Sequence, residues 1–278
     1  MTLVFKIFLI SVKELIIVNK YALITGATFG IGYELAKLFA ADGHNLILVA
    51  RNKNRLSEIS KELIDKHNIY VRIIEKDLSL PNSAKEVFEE INQENLEVEC
   101  LVNNAGFGNH GKFWETDLKT ELDMIQLNIT SLVQLTKLFL PKMIANRSGK
   151  ILNVASTAAF QPGPFMNIYY ATKAFVLSFS EALASELKGT GVSATTLCPG
   201  PTKTEFQSRA EINNTRLVKT RIMSFMSSEK VAKIGYNGLM NGKRLVIPGL
   251  LNRIGVTGVK FAPRILTTSV IRLLNNDK

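Results

Sequence analysis

Tyr169 and Lys173 lie four residues apart in Asn167-Ile-Tyr-Tyr-Ala-Thr-Lys173, which puts them on one face of a helix, one turn from each other. A phenol with an ordinary pKa of about 10 is a poor proton shuttle at neutral pH. A lysine ammonium about 4 Å away is worth roughly 4 kcal/mol at an effective dielectric near 20, equivalent to about 3 pK units before desolvation opposes it. Such a pair makes tyrosine a working acid and base, although the same spacing also occurs in surface pairs without chemistry. Ser156 precedes this helix and follows an apolar run, Lys150 to Ala155.

A second group of residues is suited to an anion. Thr25-Gly26-Ala27-Thr28-Phe29-Gly30-Ile31-Gly32 follows an apolar strand and opens a helix. Glycines there let the backbone approach a pyrophosphate, and the helix N-terminus supplies amide donors. The spacing is Gly-x-x-x-Gly-x-Gly, and the strand-to-helix setting separates it from an ordinary turn. The next strand ends at Ala50-Arg51. An acidic residue at that point would bind a free ribose 2′-hydroxyl; a guanidinium without a carboxylate favours a 2′-phosphate, hence NADP(H) over NAD(H). The alternative is a solvated surface arginine.

These groups need elements to hold them. Apolar runs at Tyr21–Thr25, Asn45–Ala50, Ile69–Glu75, Val98–Val102, Lys150–Ala155, Val192–Cys198 and Arg244–Ile247 alternate with helical patterns. The helices are expected at residues 30–41, 53–66, 81–94, 117–144 (interrupted by Pro141), 167–187 and about 228–240. Strands that are nearly all apolar, each followed by a helix, predict an α/β fold. It is a single doubly wound domain with a mostly parallel, seven-stranded, Rossmann-like sheet. Residues 203–226 read as an irregular or helical insertion.

Over roughly residues 20–248 the pattern resembles the classical short-chain dehydrogenase/reductase family. The likeness rests on the glycine turn, Asp77-Leu78, Asn103-Asn104-Ala105-Gly106, Asn128, Ser156, Tyr169-x-x-x-Lys173 and Pro199-Gly200, all in order. It implies that Tyr169 gives a proton to a carbonyl oxygen in reduction and takes it back in oxidation. Ser156 would hydrogen-bond the same oxygen, and Lys173 would lower the tyrosine pKa and hold the nicotinamide ribose. Asn128 would hold a water linking Lys173 to solvent, its alternative being a buried structural amide. Gly26, Thr28, Phe29, Gly30 and Ile31 would form the cofactor turn. Asn104, Ala105 and Gly106 would line the adenosine and ribose, and Asp77, beside Leu78, would bond the adenine amino group. Thr202, after Pro199-Gly200, is the better of two threonines, with Thr204, to meet the carboxamide or diphosphate. Phe29 departs from the pattern, since many NADP-preferring members carry a basic residue there. Cofactor choice then rests on Arg51, helped by Lys53.

The function expected is therefore an NADP(H)-dependent oxidoreductase that reversibly reduces a carbonyl to a secondary alcohol; the alternative is a non-catalytic NADP(H)-sensing protein of the same fold. No metal is required. Phe160, Phe165, Met166, Phe206, Met223, Phe225 and Met226, on the loops expected around the substrate, predict an apolar ketone, ketosteroid or 3-oxoacyl thioester. Trp114 is expected to pack, and His110 to be a loop histidine or to line the entrance. The family habit is a homodimer or homotetramer through the long helices flanking the fifth strand.

The 278 residues are 46% hydrophobic with 18 Gly and 8 Pro, which excludes disorder and low-complexity classes. Of the +10 net charge, +2 lies in residues 1–20 and +4 in residues 249–278, leaving +4 for the body. With no recognised nucleic-acid module, that charge gives little support for nucleic acid. Cys100 and Cys198 show no CxxC spacing, which fits a reducing cytoplasmic compartment. Residues 1–18 read as an apolar extension split by Lys6 and too short to span a bilayer, with translation expected from Val18. The domain proper is 19–248. Residues 249–278 form a basic tail whose Phe261–Leu274 stretch is amphipathic, suited first to packing on the protein or a partner subunit and second to peripheral membrane contact.

Overall fold

The structure is a computed structural model that describes residues 20–203, 210, 215 and 225–276. Seven strands form one sheet: β1 (Lys20–Thr25), β2 (Asn45–Ala50), β3 (Val71–Glu75), β4 (Glu97–Asn103), β5 (Gly149–Val154), β6 (Val192–Leu197) and β9 (Leu245–Val246). Their order is β3-β2-β1-β4-β5-β6-β9, and every pairing is parallel. A separate parallel pair, β7 (Thr202–Lys203) and β8 (Met226–Ser227), brackets the stretch expected to be an insertion. Most of that stretch, including Thr204, Phe206 and Met223, lies outside the described residues, as do residues 1–19.

Alternation along the strands explains the two layers. Ala22, Ile24, Leu46 and Leu48 face a core closed by α1 (Gly30–Ala41), α2 (Lys53–His67) and α7 (Ser228–Met240). Leu23, Ile47, Val49 and Leu101 face the other core, under α3 (Ser83–Gln93), α5 (Leu132–Ala145) and α6 (Asn167–Glu186). Each central strand is buried on both faces, which is why these runs are continuously apolar.

The third expected helix begins at Ser83 and not at Pro81, because Asn82 adopts a left-handed conformation (φ 66°) immediately before it. The long fourth helix is also built differently from expectation. Its interruption falls at a π-helical segment, Gln126–Ser131, between α4 (Leu118–Ile125) and α5, while Pro141 sits inside α5. A π segment widens the turn, and such turns gather at functional sites; this one carries Asn128. The basic tail forms two helices, α8 (Leu250–Phe261) and α9 (Arg264–Asn275), separated at Ala262-Pro263.

A buried chain of side-chain hydrogen bonds fixes the helices around the sheet's centre. Asn103 Nδ2 donates to Thr136 Oγ1 (3.0 Å) and to Asn153 Oδ1 (2.9 Å). Asn153 Nδ2 donates to Ser180 Oγ (2.8 Å), whose hydroxyl bonds the Val176 carbonyl. β4, β5, α5 and α6 are thereby locked together, and leaving any buried member unpaired would cost about 1–3 kcal/mol.

Candidate active site

A cavity of about 620 Å³ opens along the carboxyl ends of β1, β2, β4, β5 and β6, where open α/β sheets bind ligands. Its lining includes Gly26, Thr28, Phe29, Gly30, Ile31, Arg51, Asp77, Leu78, Asn104, Ala105, Gly106, Ser156, Tyr169, Lys173, Pro199, Gly200 and Thr202. The expected site residues thus converge there, with Asn128 directly behind the wall: a Cβ on Gly106 would meet Asn128 Oδ1 at 2.9 Å and Lys173 Nζ at 3.3 Å.

The glycine turn is braced from β4. Gly26 has φ +65°, and a Cβ there would lie 2.9 Å from both Ala105 Cα and Asn104 Nδ2. Asn104 Nδ2 donates to the carbonyls of Thr25 (2.9 Å) and Gly26 (3.1 Å), while Thr25 Oγ1 accepts from the amides of Asn104 and Ala105 (3.0 Å each). Asn104 therefore shapes the turn as well as lining the cavity. Phe29, at the N-cap of α1, makes no side-chain capping hydrogen bond. A cradle that a side chain would fill, beside a helix N-terminus, fits the pyrophosphate of a dinucleotide.

Arg51 and Asp77 form an ion pair at the ends of β2 and β3. The Arg51 side chain is 68% exposed and lies 3.7 Å from Asp77 Oδ2. Burial works to raise the Asp77 pKa, but hydrogen bonds from the Ser79 hydroxyl and amide, helped by Arg51, hold it below the usual range. Asp77 is thus a fixed anionic acceptor. The Arg55 guanidinium, on α2, lies 5.9 Å from the centre of the Phe29 ring. A cation therefore stands beside position 29 in space although none stands there in sequence. The signal was available: Arg55 is three residues after the helix cap Asn52, whose Oδ1 accepts from the Arg55 amide at 2.9 Å.

Tyr169 and Lys173 are buried, one turn apart on α6, and Ser156 stands close enough to the Tyr169 side chain to favour its ionised form. Lys173 Nζ donates to the Val154 carbonyl at 2.9 Å and stands 5.8 Å from the tyrosine ring centre. Burial dominates both groups: it pushes the phenol well above its ordinary value, against the opposing influence of Ser156, and lowers the ammonium to about 8. Desolvation penalises each charged form, so in this arrangement the labile proton near neutrality belongs to Lys173.

Asn128 Nδ2 donates to the Phe107 carbonyl (3.0 Å) and Thr172 Oγ1 (3.1 Å), and Asn128 Oδ1 accepts from the Phe107 amide (3.1 Å). Its side chain clamps the loop after β4 to α6. Thr202 is buried and its hydroxyl donates to the Gly200 carbonyl at 2.9 Å. Cys198, nearby at the end of β6, is fully buried, and burial pushes its thiol up to about 12.

Of the apolar residues expected around the substrate, Met166 and Phe225 line the far wall of the cavity, but sequence reasoning missed the residues of α9 there. Ile271, Leu274 and Asn275 of α9 line it with Met166, Tyr170 and Phe225. Asn275 Nδ2 donates to the Pro164 carbonyl (3.0 Å), its side chain lies 3.4 Å from Tyr170 Oη, and its carbonyl is 2.7 Å from His110 Nε2. His110 lies in a loop, as expected, and its contact with Asn275 fastens the tail. The tail packs on the protein, with Thr267 and Asn275 buried. Trp114 does not pack; it is 78% exposed.

A three-layer Rossmann-type fold with a Ser–Tyr–Lys set at the sheet's carboxyl edge defines a dinucleotide-dependent oxidoreductase. Residues 20–216 match the short chain dehydrogenase family model. The chain is 33% identical over 241 residues to mouse 17-beta-hydroxysteroid dehydrogenase type 3, covering 85% of this chain and 76% of that one. It is 37% identical over 186 residues to sulfoacetaldehyde reductase 2 of Chromohalobacter salexigens, covering 66% and 73%. A short-chain dehydrogenase from Sphingobium yanoikuyae in complex with NADPH superposes with TM-score 0.78 at 31% identity, over 90% of this chain and 95% of that one. The chain belongs to the short-chain dehydrogenase/reductase family, oxidoreductases that act on CH–OH groups and the corresponding carbonyls with NAD or NADP.

Proposed function

We propose that this protein is an NADP(H)-dependent carbonyl reductase acting reversibly on bulky apolar ketones, ketosteroids or 3-oxoacyl thioesters. The observation that carries the chemistry is the convergence of Ser156, buried Tyr169 and buried Lys173, one helical turn from Tyr169, in the same cavity as the glycine turn. Bound NADPH supplies the hydride. Tyr169, kept protonated by burial, gives its proton to the carbonyl oxygen, and Ser156 donates a hydrogen bond to that oxygen as negative charge develops. Lys173, protonated below about pH 8, supplies positive charge beside the phenol as the proton leaves. Asn128 and Thr172 hold the face of α6 that presents both groups.

NADP(H) is favoured by Arg51, which lines the cavity after β2; Arg55, near the Phe29 ring and paired with Glu58 at 2.8 Å, stands outside that lining. The apolar substrate class follows from a far wall of Met166, Phe225, Ile271 and Leu274. Exposed Leu118 and Leu122 on α4 and Phe175 on α6 support association of copies through these helices. The test is NADPH oxidation over a panel of ketosteroids, 3-oxoacyl thioesters and aromatic ketones. Turnover of at least one apolar class is expected; NADPH binding with no turnover across the panel would favour a sensor instead.

A further inference from the structure

The two C-terminal helices present apolar side chains to solvent. Leu250, Leu251 and Ile254 on α8, Phe261 at its end, and Ile265 and Leu273 on α9 are all exposed, Phe261 at 85% and Ile265 at 84%. A surface helix ordinarily turns its polar side outward. Here the inward sides are already occupied, by Val256 of α8 and by Thr267, Ile271, Leu274 and Asn275 of α9. The outer apolar face is additional to what the fold needs.

Its charge indicates what covers it. Arg253, Lys260, Arg264 and Arg272 lie on the same two helices, residues 249–276 contain no Asp or Glu, and none of the four forms an ion pair among the described residues. A second copy docking through this face would set four cations against four cations. Residues 1–19, with Lys6 and Lys13 against Glu14, carry the same sign. An apolar face rimmed by unpaired cations is complementary to an anionic lipid surface, where the side chains enter the headgroup boundary and the cations meet lipid phosphates. We propose that α8 and α9 dock this protein on anionic bilayers as a peripheral, non-spanning surface. The docking face and the far wall of the cavity are then opposite sides of one helix, α9. No helix among the described residues is long and apolar enough to cross a membrane.

The test is flotation of the full chain with vesicles of phosphatidylcholine alone and of phosphatidylcholine with phosphatidylglycerol in equal parts. Wild type is expected to float with the anionic vesicles and to be released as salt rises from about 0.05 M to about 0.5 M. Phe261→Asp/Ile265→Asp is expected to lower the bound fraction about ten-fold. Lys260→Glu/Arg264→Glu is expected to remove the preference for anionic over neutral vesicles. Circular dichroism and turnover of a soluble ketone should match wild type in both variants. Absence of flotation would overturn the proposal. So would binding that neither variant alters, which would assign it to another segment, or a change of oligomeric mass in the Asp variant without flotation, which would assign the face to a second copy.

Discussion

The cavity has two halves made in different ways. The cofactor half is shaped by backbone: the turn at Gly26–Ile31 and the carbonyls that Asn104 binds, all from segments next to their own strands. The substrate half is closed by side chains from distant places, with Tyr170 and Asn275 separated by 105 positions. Groups that depend on backbone geometry recur at fixed offsets and leave a motif in sequence. Groups that depend on tertiary packing leave composition alone. The first half therefore carries what is common to the chemistry, and the second what selects the substrate.

The largest expected effect lies where the halves meet. Tyr169→Phe should reduce turnover by about 10³-fold or more while leaving NADPH affinity within about two-fold, read by steady-state rates and fluorescence titration. Retained turnover would place the proton donor elsewhere in the cavity.

Within the cofactor half, Arg51→Asp should lower kcat/KM for NADPH about 10²-fold and narrow or reverse the NADPH/NADH preference, because it sets a carboxylate against the 2′-phosphate. An unchanged ratio would transfer selection to Arg55 and Lys53.

Within the substrate half, Asn275→Ala removes the bond to the Pro164 carbonyl and the contact with Tyr170. KM for a bulky ketone should rise about ten-fold with kcat nearly unchanged, as expected for a residue that positions the wall and does not touch reacting atoms. A fall in kcat alone would bring α9 into the chemistry and erase the contrast between the halves.

The smallest effect is on stability. Lys173 has its pKa lowered by burial from 10.5 to about 8, so the folded state releases this proton before the unfolded chain does, and the contribution to stability rises with pH between those values. Below about pH 8 the shift corresponds to a penalty on the order of 3 kcal/mol, partly offset by the hydrogen bond to Val154. Lys173→Met should therefore raise the urea-unfolding free energy at pH 7 by about 1 kcal/mol while impairing turnover. The difference from wild type should shrink as pH rises through about 8 to about 9. Lower stability of the variant at pH 7 would mean that the Val154 bond outweighs desolvation.

Much of this protein was legible from residue order because the causes are local. Continuous apolar strands depend on neighbours a few positions away, as does the four-residue offset of Tyr169 and Lys173. These determined the sheet, the site's location and its principal groups. Tertiary structure decided how those groups are charged and enclosed. A helical offset says nothing of depth, and depth ties Lys173 to Val154 and raises the Tyr169 pKa. The π segment displaced the helix interruption from Pro141 to the turn bearing Asn128, whose partners, Phe107 and Thr172, lie 21 and 44 positions away. Nor could the amphipathic pattern of the tail tell which helix side faces the cavity, because both sides of α9 carry apolar residues. Packing of Asn275 between His110, Pro164 and Tyr170 settled that, through contacts that no short-range periodicity encodes.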